Sequence, residues 1–195
     1  MGDVRDDNYC QLLPESLSRS SLDRSRITVM AFPPLGIQTL APVLRQHGHQ
    51  VRLFDTCHPQ MKAAHIAEVA AAERPDLIGL SFLSATTYPA AKDMTSQLKQ
   101  RVPGIPIIMG GPFASMNADH ILRDCPHADS VGVCEGEELL PDYLEHLDCP
   151  EAVAGLVWRH GEEVVSNPAR PLIRDLDPQL PPQVQLSQSV EANVR

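Results

Sequence analysis

The sequence lacks any cluster of basic residues, and its 195 residues carry a formal net charge of −9 at pH 7. An acidic chain without a basic patch offers nothing to attract phosphate backbones or anionic lipids. No apolar run reaches the ~20 residues that a membrane-spanning helix needs. The N-terminus also lacks the basic-then-apolar pattern of a signal peptide. We therefore expect a cytoplasmic protein without nucleic-acid or membrane partners.

Several motifs with known chemistry are missing as well. The five cysteines are scattered, form no CxxC pair and stand at no zinc-binding spacing from histidine, so reduced thiols are expected. No GxxxxGK phosphate loop occurs, and neither GxGxxG nor a magnesium-binding Asp cluster follows the first predicted strand. No local Ser/His/Asp or Cys/His set is recognisable. These absences argue against nucleotide hydrolysis, phospho-receiver function and nucleophilic catalysis.

What the sequence does contain is a regular alternation of short apolar runs and helical periodicities. Strands are predicted at 27–32, 50–54, 77–82, 105–109 and 130–134. Helices are predicted after them, at about 37–48, 58–75, 88–101, 118–125 and 137–147. Continuously apolar strands are typical of a parallel sheet that helices cover on both faces. The predicted fold is α/β, with a doubly wound, flavodoxin-like or Rossmann-like five-stranded parallel sheet.

The alternation also predicts how the chain is divided. Residues 1–25 are polar and rich in Ser, Arg and Asp, which predicts a disordered N-terminal arm. The α/β domain is expected at 26–150. A small β-hairpin centred on Gly161 is expected at 151–167. Residues 168–195 are rich in proline and charge, and we interpret them as a linker or tail.

Small residues or rigid turns follow most of the predicted strands. Ligands of open α/β sheets bind beyond the carboxyl ends of the strands, near the switch in strand order. The candidate site residues are therefore Pro33, Pro34, Leu35, Gly36, Asp55, Ser81, Phe82, Leu83, Ser84, Gly110, Gly111, Pro112, Phe113, Glu135 and Gly136. Turns, helix caps and helix dipoles explain each of them separately. Taken together, they indicate a bulky ligand lying against the backbone.

Five stretches, in order, resemble the cobalamin (B12)-binding domain found at the N-terminus of many B12-dependent radical SAM enzymes. They cover roughly 26–178: PPLGIQTLAPVLRQHGHQV, LIGLSFLSATTYPAA, IPIIMGGPFAS, VGVCEGEELLPDYLEHL and GLVWRHGEEVVSNPARPLIRDLDPQLPP. In that family a proline–glycine turn follows strand one and GGP closes strand four. A GEGE-like turn closes strand five, and a hairpin with an LDxLP-like connection leads into the catalytic barrel.

The resemblance implies a cobalamin-binding module in which the cofactor brings the cobalt. Ser81-Phe82-Leu83 matches the S-x-L motif of the wider cobalamin fold, and Gly110-Gly111 matches its GG motif. Beside these residues the nucleotide tail of cobalamin is expected to insert between the sheet and the helices. The expected apolar contacts of the corrin are Leu35, Leu83, Pro112 and Phe113.

The resemblance also bears on the lower axial ligand of cobalt. Aligning Gly36 with the last glycine of the family's D-x-H-x-x-G motif places Pro33 at its histidine. Proline has no side-chain donor atom, so the resemblance implies base-off, His-off cobalamin without a metal ligand from the protein. His58, after the second predicted strand, is the alternative ligand.

Radical SAM enzymes hold an iron–sulfur cluster on a CxxxCxxC motif, which this sequence lacks. No cluster and no catalysis are therefore expected of this chain alone. The chain is a fragment, a degenerate relative or a stand-alone module, which serves a radical SAM methyltransferase-type partner or acts as a sensor. Two other hypotheses stay open: a flavodoxin-like protein binding flavin or another nucleotide, and an interaction domain without ligand. A haem-binding variant would use His58 first.

Overall fold

The computed structural model describes residues 35–56 and 62–173. Its helices are α1 (Leu35–Gln46), α2 (Ala63–Glu73), α3 (Tyr88–Arg101), α4 (Pro112–Met116), α5 (Ala118–Asp124), α6 (Gly136–Glu145) and the 3₁₀ helix Pro150–Ala152. Its strands are β1 (Ile78–Ser81), β2 (Ile107–Gly110), β3 (Ser130–Gly132), β4 (Leu156–His160) and β5 (Glu163–Ser166). The predicted first strand, the N-terminal arm, Pro33, Pro34 and His58 lie outside the described residues.

The five strands form one mixed sheet in the order β1-β2-β3-β4-β5. β1, β2 and β3 run parallel, with Ile78 opposite Ile107 and Met109 opposite Val131. β4 runs antiparallel to β3, and β5 antiparallel to β4. The α/β fold is thus observed; the described sheet is mixed, so an all-parallel five-stranded sheet is not confirmed. The predicted hairpin extends this sheet, because its backbone pairs with the outer edge of β3 and satisfies the hydrogen bonds there.

The second predicted strand, at 50–54, is not a strand in the structure. A strand exists only where a neighbouring strand supplies ladder hydrogen bonds. Its predicted neighbour, at 27–32, is outside the described residues. Phe54 nevertheless packs against the apolar cluster that joins α2 to α3.

Helices cover both faces of the sheet, as the apolar strands indicated. Alternate side chains of a strand point to opposite faces. Ile107 and Met109 face the side covered by α2, α3 and α5, which we call the α3 face. Ile108 faces the opposite side, where it packs against Leu139 and Tyr143 of α6, and we call this side the α6 face.

Asp129, just before β3, fixes the start of β2. Its Oδ2 accepts hydrogen bonds from the Ile107 amide at 2.6 Å and from Lys99 Nζ at 2.8 Å. Lys99 Nζ also donates to the Ile105 carbonyl at 2.8 Å. The Asp129 carboxylate therefore connects α3 and β2 to the start of β3.

We expect Asp129→Ala to lower the free energy of unfolding by about 1–2 kcal/mol, because the amide of a buried residue loses its acceptor. Urea denaturation followed by circular dichroism measures the change. The control is Asp119→Ala, which removes only an exposed ion pair with Arg123 within one turn of α5 and should cost no measurable stability. Equal midpoints for the two variants would contradict the role given to Asp129.

Candidate cofactor site

The parallel strands β1, β2 and β3 end at one edge of the sheet. We name this edge the carboxyl rim; it comprises the residues that follow these strands and the first turns of α1 and α6. Phe82 extends the pairing of β1 by one residue, because its amide donates to the Gly110 carbonyl at 3.2 Å. The structure thus brings the residues after β1 and after β2 together, as the sequence predicted.

The last residue of β2, Gly110, and the glycine that follows it, Gly111, differ in what surrounds them. Gly111 has a left-handed φ of +97°, and a Cβ built there would lie 2.5 Å from the Phe82 carbonyl oxygen. A Cβ on Gly110 would meet no atom of the described residues within 4 Å. The close approach of the Phe82 backbone therefore explains why residue 111 is a glycine, and no ligand is needed to explain it. Gly110 instead opens onto free space, on the α6 face that it shares with Ile108 by strand alternation.

The aromatic residues of the candidate site belong to the core of the α3 face. Phe82, Tyr88 and Phe113 form a cluster with ring centroids 5.8–6.0 Å apart. Leu83, in contrast, is 75% exposed, and Met116 at the end of α4 is 85% exposed. Leu83 is therefore available for an apolar ligand, whereas Phe82 and Phe113 already contact other side chains.

The serines after β1 also have different surroundings. Ser81 is exposed at the end of β1, with its Oγ 3.1 Å from the position that a Cβ of Gly111 would take. Ser84 lies in the turn before α3, where its Oγ is 2.8 Å from Thr86 Oγ1 and its carbonyl accepts from Thr87 Oγ1 at 2.9 Å. Ser81 is therefore the more exposed residue of this pair.

Carboxylates of the acidic turn after β3 form hydrogen bonds with other groups of the protein. Glu135 Oε2 accepts from the Ile173 amide at 2.8 Å. Thr39 Oγ1 of α1 lies 3.2 Å from Glu137 Oε1 and shares its single proton between this oxygen and the Gly36 carbonyl. A Cβ on Gly136 would lie 3.0 Å from Leu40 Cδ2, so α1 and α6 approach closely. The first turns of these two helices thus stand side by side at the carboxyl rim.

Residues 167–173, which we name the strap, lie against α6. The Arg170 guanidinium bonds to Asp142, lies 3.8 Å from Glu138 and donates to the Ala154 carbonyl at 3.1 Å. Asn167 donates to the carbonyls of Pro150 at 2.6 Å and Val153 at 2.8 Å. This part of the predicted linker is therefore held in place by hydrogen bonds.

The remaining predicted residues are at the margins of the site. Gly36 is in the first turn of α1, where its carbonyl accepts from Thr39 Oγ1 at 2.8 Å, and Leu35 begins that helix. Pro112 begins α4. Asp55 is half-buried at the end of the segment 50–55.

Sequence reasoning missed three residues at this rim. Met116 is exposed, and Cys134 has a φ of +70° and is held through its amide by Ser115 Oγ at 3.1 Å. The side-chain oxygen of Gln38 is buried without a hydrogen-bond partner in the described part of the chain. The only sequence signal for Gln38 is its place in the helical stretch that follows the Pro-Pro-Leu-Gly turn.

Across 35–56 and 62–173, no three His, Cys, Asp or Glu side chains come together in a way that would hold a metal ion. Within the same ranges, no helix has the length and apolarity required to cross a bilayer.

The described elements form an α/β domain whose parallel strands end at one rim. Residues 29–144, more than half of the chain, match the family described as B12 binding domain, and the chain belongs to that family. The resemblance drawn from the five sequence stretches is therefore confirmed.

Relatives of this chain include two curated proteins whose names describe different reactions. The chain is 29% identical over 157 residues to the anaerobic magnesium-protoporphyrin IX monomethyl ester cyclase of Synechocystis sp., covering 78% of this chain and 32% of the cyclase. It is 26% identical over 155 residues to an uncharacterized methyltransferase of Pyrococcus horikoshii, covering 78% of this chain and 33% of that protein. The chain thus spans about a third of the length of these relatives.

A solved structure shares the fold. The radical S-adenosylmethionine methyltransferase TsrM of Kitasatospora setae, determined with cobalamin and a 4Fe–4S cluster bound, superposes with a TM-score of 0.65. The match covers 77% of this chain and 29% of TsrM, at 16% sequence identity. At this identity the likeness establishes the fold.

The two glycines of the rim make a matched pair for a stability test. Gly111→Ala should cost roughly 2–4 kcal/mol, because the new Cβ meets the Phe82 backbone and the left-handed φ is strained. Gly110→Ala should stay within about 0.5 kcal/mol of the parent chain, because its Cβ enters open space. Thermal and urea unfolding of both variants measure the difference. Equal stabilities would disprove the contrast between the two positions.

Proposed function

We propose that this domain binds cobalamin at the carboxyl rim and presents it to a radical SAM methyltransferase-type domain or partner. The observation that carries the proposal is the open space beside Gly110, at the position of the family's GG motif. A single Cβ position beside Gly110 is clear of all described atoms within 4 Å, so a ligand can approach this backbone from that side. When bound, cobalamin supplies a cobalt centre that can carry a methyl group.

The residues around Gly110 fit such a ligand chemically. Ser81 offers an exposed hydroxyl, which both donates and accepts hydrogen bonds. Leu83 offers exposed apolar surface to the face or edge of the corrin. In our proposal Ser81 and Gly110 border the nucleotide part of the cofactor, and Leu83 packs on the corrin.

A partner or fused domain follows from the relatives rather than from the site. The curated relatives are about three times as long as the stretch that they share with this chain. Their names include a methyltransferase and a cyclase, and TsrM carries an iron–sulfur cluster besides cobalamin. This chain has no CxxxCxxC motif. We therefore propose that a radical SAM protein or domain with its own cluster acts on the cobalamin held here.

The open space can be filled to test the site. Gly110→Leu should weaken hydroxocobalamin binding at least about tenfold, because the side chain takes the space proposed for the cofactor. Gly104→Leu is the control, since Gly104 also has open space around its Cβ position but precedes β2 at the other end of the strand. Absorbance titration after gel filtration measures binding, and circular dichroism confirms folding.

Three results would contradict the proposal. They are wild-type affinity in a folded Gly110→Leu variant, equal losses in both variants, and a parent chain that takes up no cobalamin. A parent chain that instead turns yellow and fluorescent with flavin mononucleotide would support the flavodoxin-like alternative.

The lower face of cobalt is a separate part of the proposal. The segments 82–87, 111–117 and 133–135, which follow the parallel strands, contain no histidine. Pro33, at the family's histidine position, has no donor atom. We therefore propose that the cofactor is held base-off and His-off, with no nitrogen from the protein bound to cobalt.

Electron paramagnetic resonance of the Co(II) form tests this state. The spectrum should show no strong nitrogen superhyperfine splitting, and it should be the same for unlabelled and ¹⁵N-labelled protein. A splitting that changes with protein labelling would mean that a protein nitrogen binds cobalt. If that splitting then disappeared in His58→Ala, His58 would be the ligand.

A further inference from the structure

Gln38 carries a buried polar atom that the fold does not use. Its side-chain oxygen Oε1 is buried and has no hydrogen-bond partner among the residues that the structure describes. Buried polar atoms are almost always hydrogen-bonded, and leaving one without a partner costs free energy. An unpaired acceptor of this kind calls for a donor from outside the domain or for another explanation.

One other buried side-chain atom in the described ranges shares this property, and its group is otherwise engaged. Arg159 Nε has no partner, but the same guanidinium donates to the carbonyls of Leu122 and Cys125 at the end of α5. The role of Arg159 as a helix cap is therefore evident without Nε. For Gln38 no such role of the oxygen is visible.

The neighbours of Gln38 place it at the carboxyl rim. Thr39 Oγ1 is 3.2 Å from Glu137 Oε1, and Leu40 contacts the position of a Gly136 Cβ at 3.0 Å. These contacts join the N-terminal part of α1 to the first turn of α6, and residues 133–135 connect that turn to the end of β3. Gln38 therefore lies at the rim, on the α6 face of the sheet.

Gly110 opens onto the same face at the same rim. It follows Ile108 by two residues on β2, and Ile108 packs against α6. No atom of residues 35–56 or 62–173 lies within 4 Å of the position that a Gly110 Cβ would take. An unpaired acceptor and an open space thus share one edge and one face of the sheet.

We infer that Gln38 Oε1 accepts a hydrogen bond from the nucleotide part of cobalamin, and that the donor is a ribose hydroxyl. This inference rests on the proposed function and adds a residue to the same site. The donor follows from chemistry. The phosphodiester of the nucleotide is ionised and carries no proton, and the dimethylbenzimidazole base has no N–H group. The ribose hydroxyls are the donors in that part of the cofactor.

The test compares cobalamin with cobinamide, which keeps the corrin but lacks phosphate, ribose and base. Gln38→Met keeps the length of the side chain and removes its amide, both the Oε1 acceptor and the Nε2 donor. We expect this variant to bind cobalamin about five- to tenfold more weakly, the effect of one lost hydrogen bond, and cobinamide as the parent chain does. Gln46→Met, in the last turn of the same helix and exposed, should bind both compounds normally.

The melting temperature of the ligand-free chain separates ligand binding from a structural role. Gln38→Met should melt no lower than the parent chain, because it removes an acceptor that has no partner. A lower melting temperature, equal weakening of both compounds, or unchanged cobalamin affinity would overturn the inference. A parent chain that binds neither compound would overturn the proposed function as well. If the parent chain binds cobalamin and Gln38→Met binds it equally well, the inference is wrong while the proposed function stands.

Discussion

The carboxyl rim depends on the contact between Gly111 and the backbone of Phe82. A Cβ at residue 111 would lie 2.5 Å from the Phe82 carbonyl oxygen, so only glycine lets β1 and the start of α4 approach this closely. The left-handed φ of Gly111 turns the chain directly into α4. Because the turn is completed within one residue, Gly110 stays in the strand and keeps its open side toward the α6 face.

A second set of contacts fixes the opposite side of the rim. The acidic turn after β3 bonds to α1 through Glu137 and to the strap through Glu135. Arg170 of the strap bonds to Asp142, one turn further along α6. Hydrogen bonds to charged groups are stronger than neutral ones, so these contacts restrain α1 and α6 where the proposed site needs fixed walls.

The sequence predicted those parts of the fold that depend on local pattern. Strands at 77–82, 105–109 and 130–134 and the helix at 88–101 lie where apolar runs and helical spacing indicated. The pairing of β4 with β3 was not predicted, because it joins segments separated by a whole helix. Nor did the Gly-Gly pair reveal which glycine meets backbone and which meets open space, because that depends on where Phe82 lies. The hydrogen bonds of the strap could not be predicted for a similar reason, since Arg170 reaches carboxylates that are distant in the sequence.

The charge of the chain bears on which ligand the rim can accept. A net charge of −9 should repel a phosphodiester, and several carboxylates stand close to the rim. Those carboxylates contact hydrogen-bond donors of the protein. Glu135 contacts the Ile173 amide, Glu137 contacts the Thr39 hydroxyl, and Asp142 contacts the Arg170 guanidinium. The groups that we propose for the cofactor are instead neutral, namely the Ser81 hydroxyl, the Gln38 amide and the open backbone of Gly110. An acidic domain can thus offer uncharged hydrogen-bonding groups to an anionic nucleotide, because the carboxylates near the rim are already hydrogen-bonded to donors of the protein.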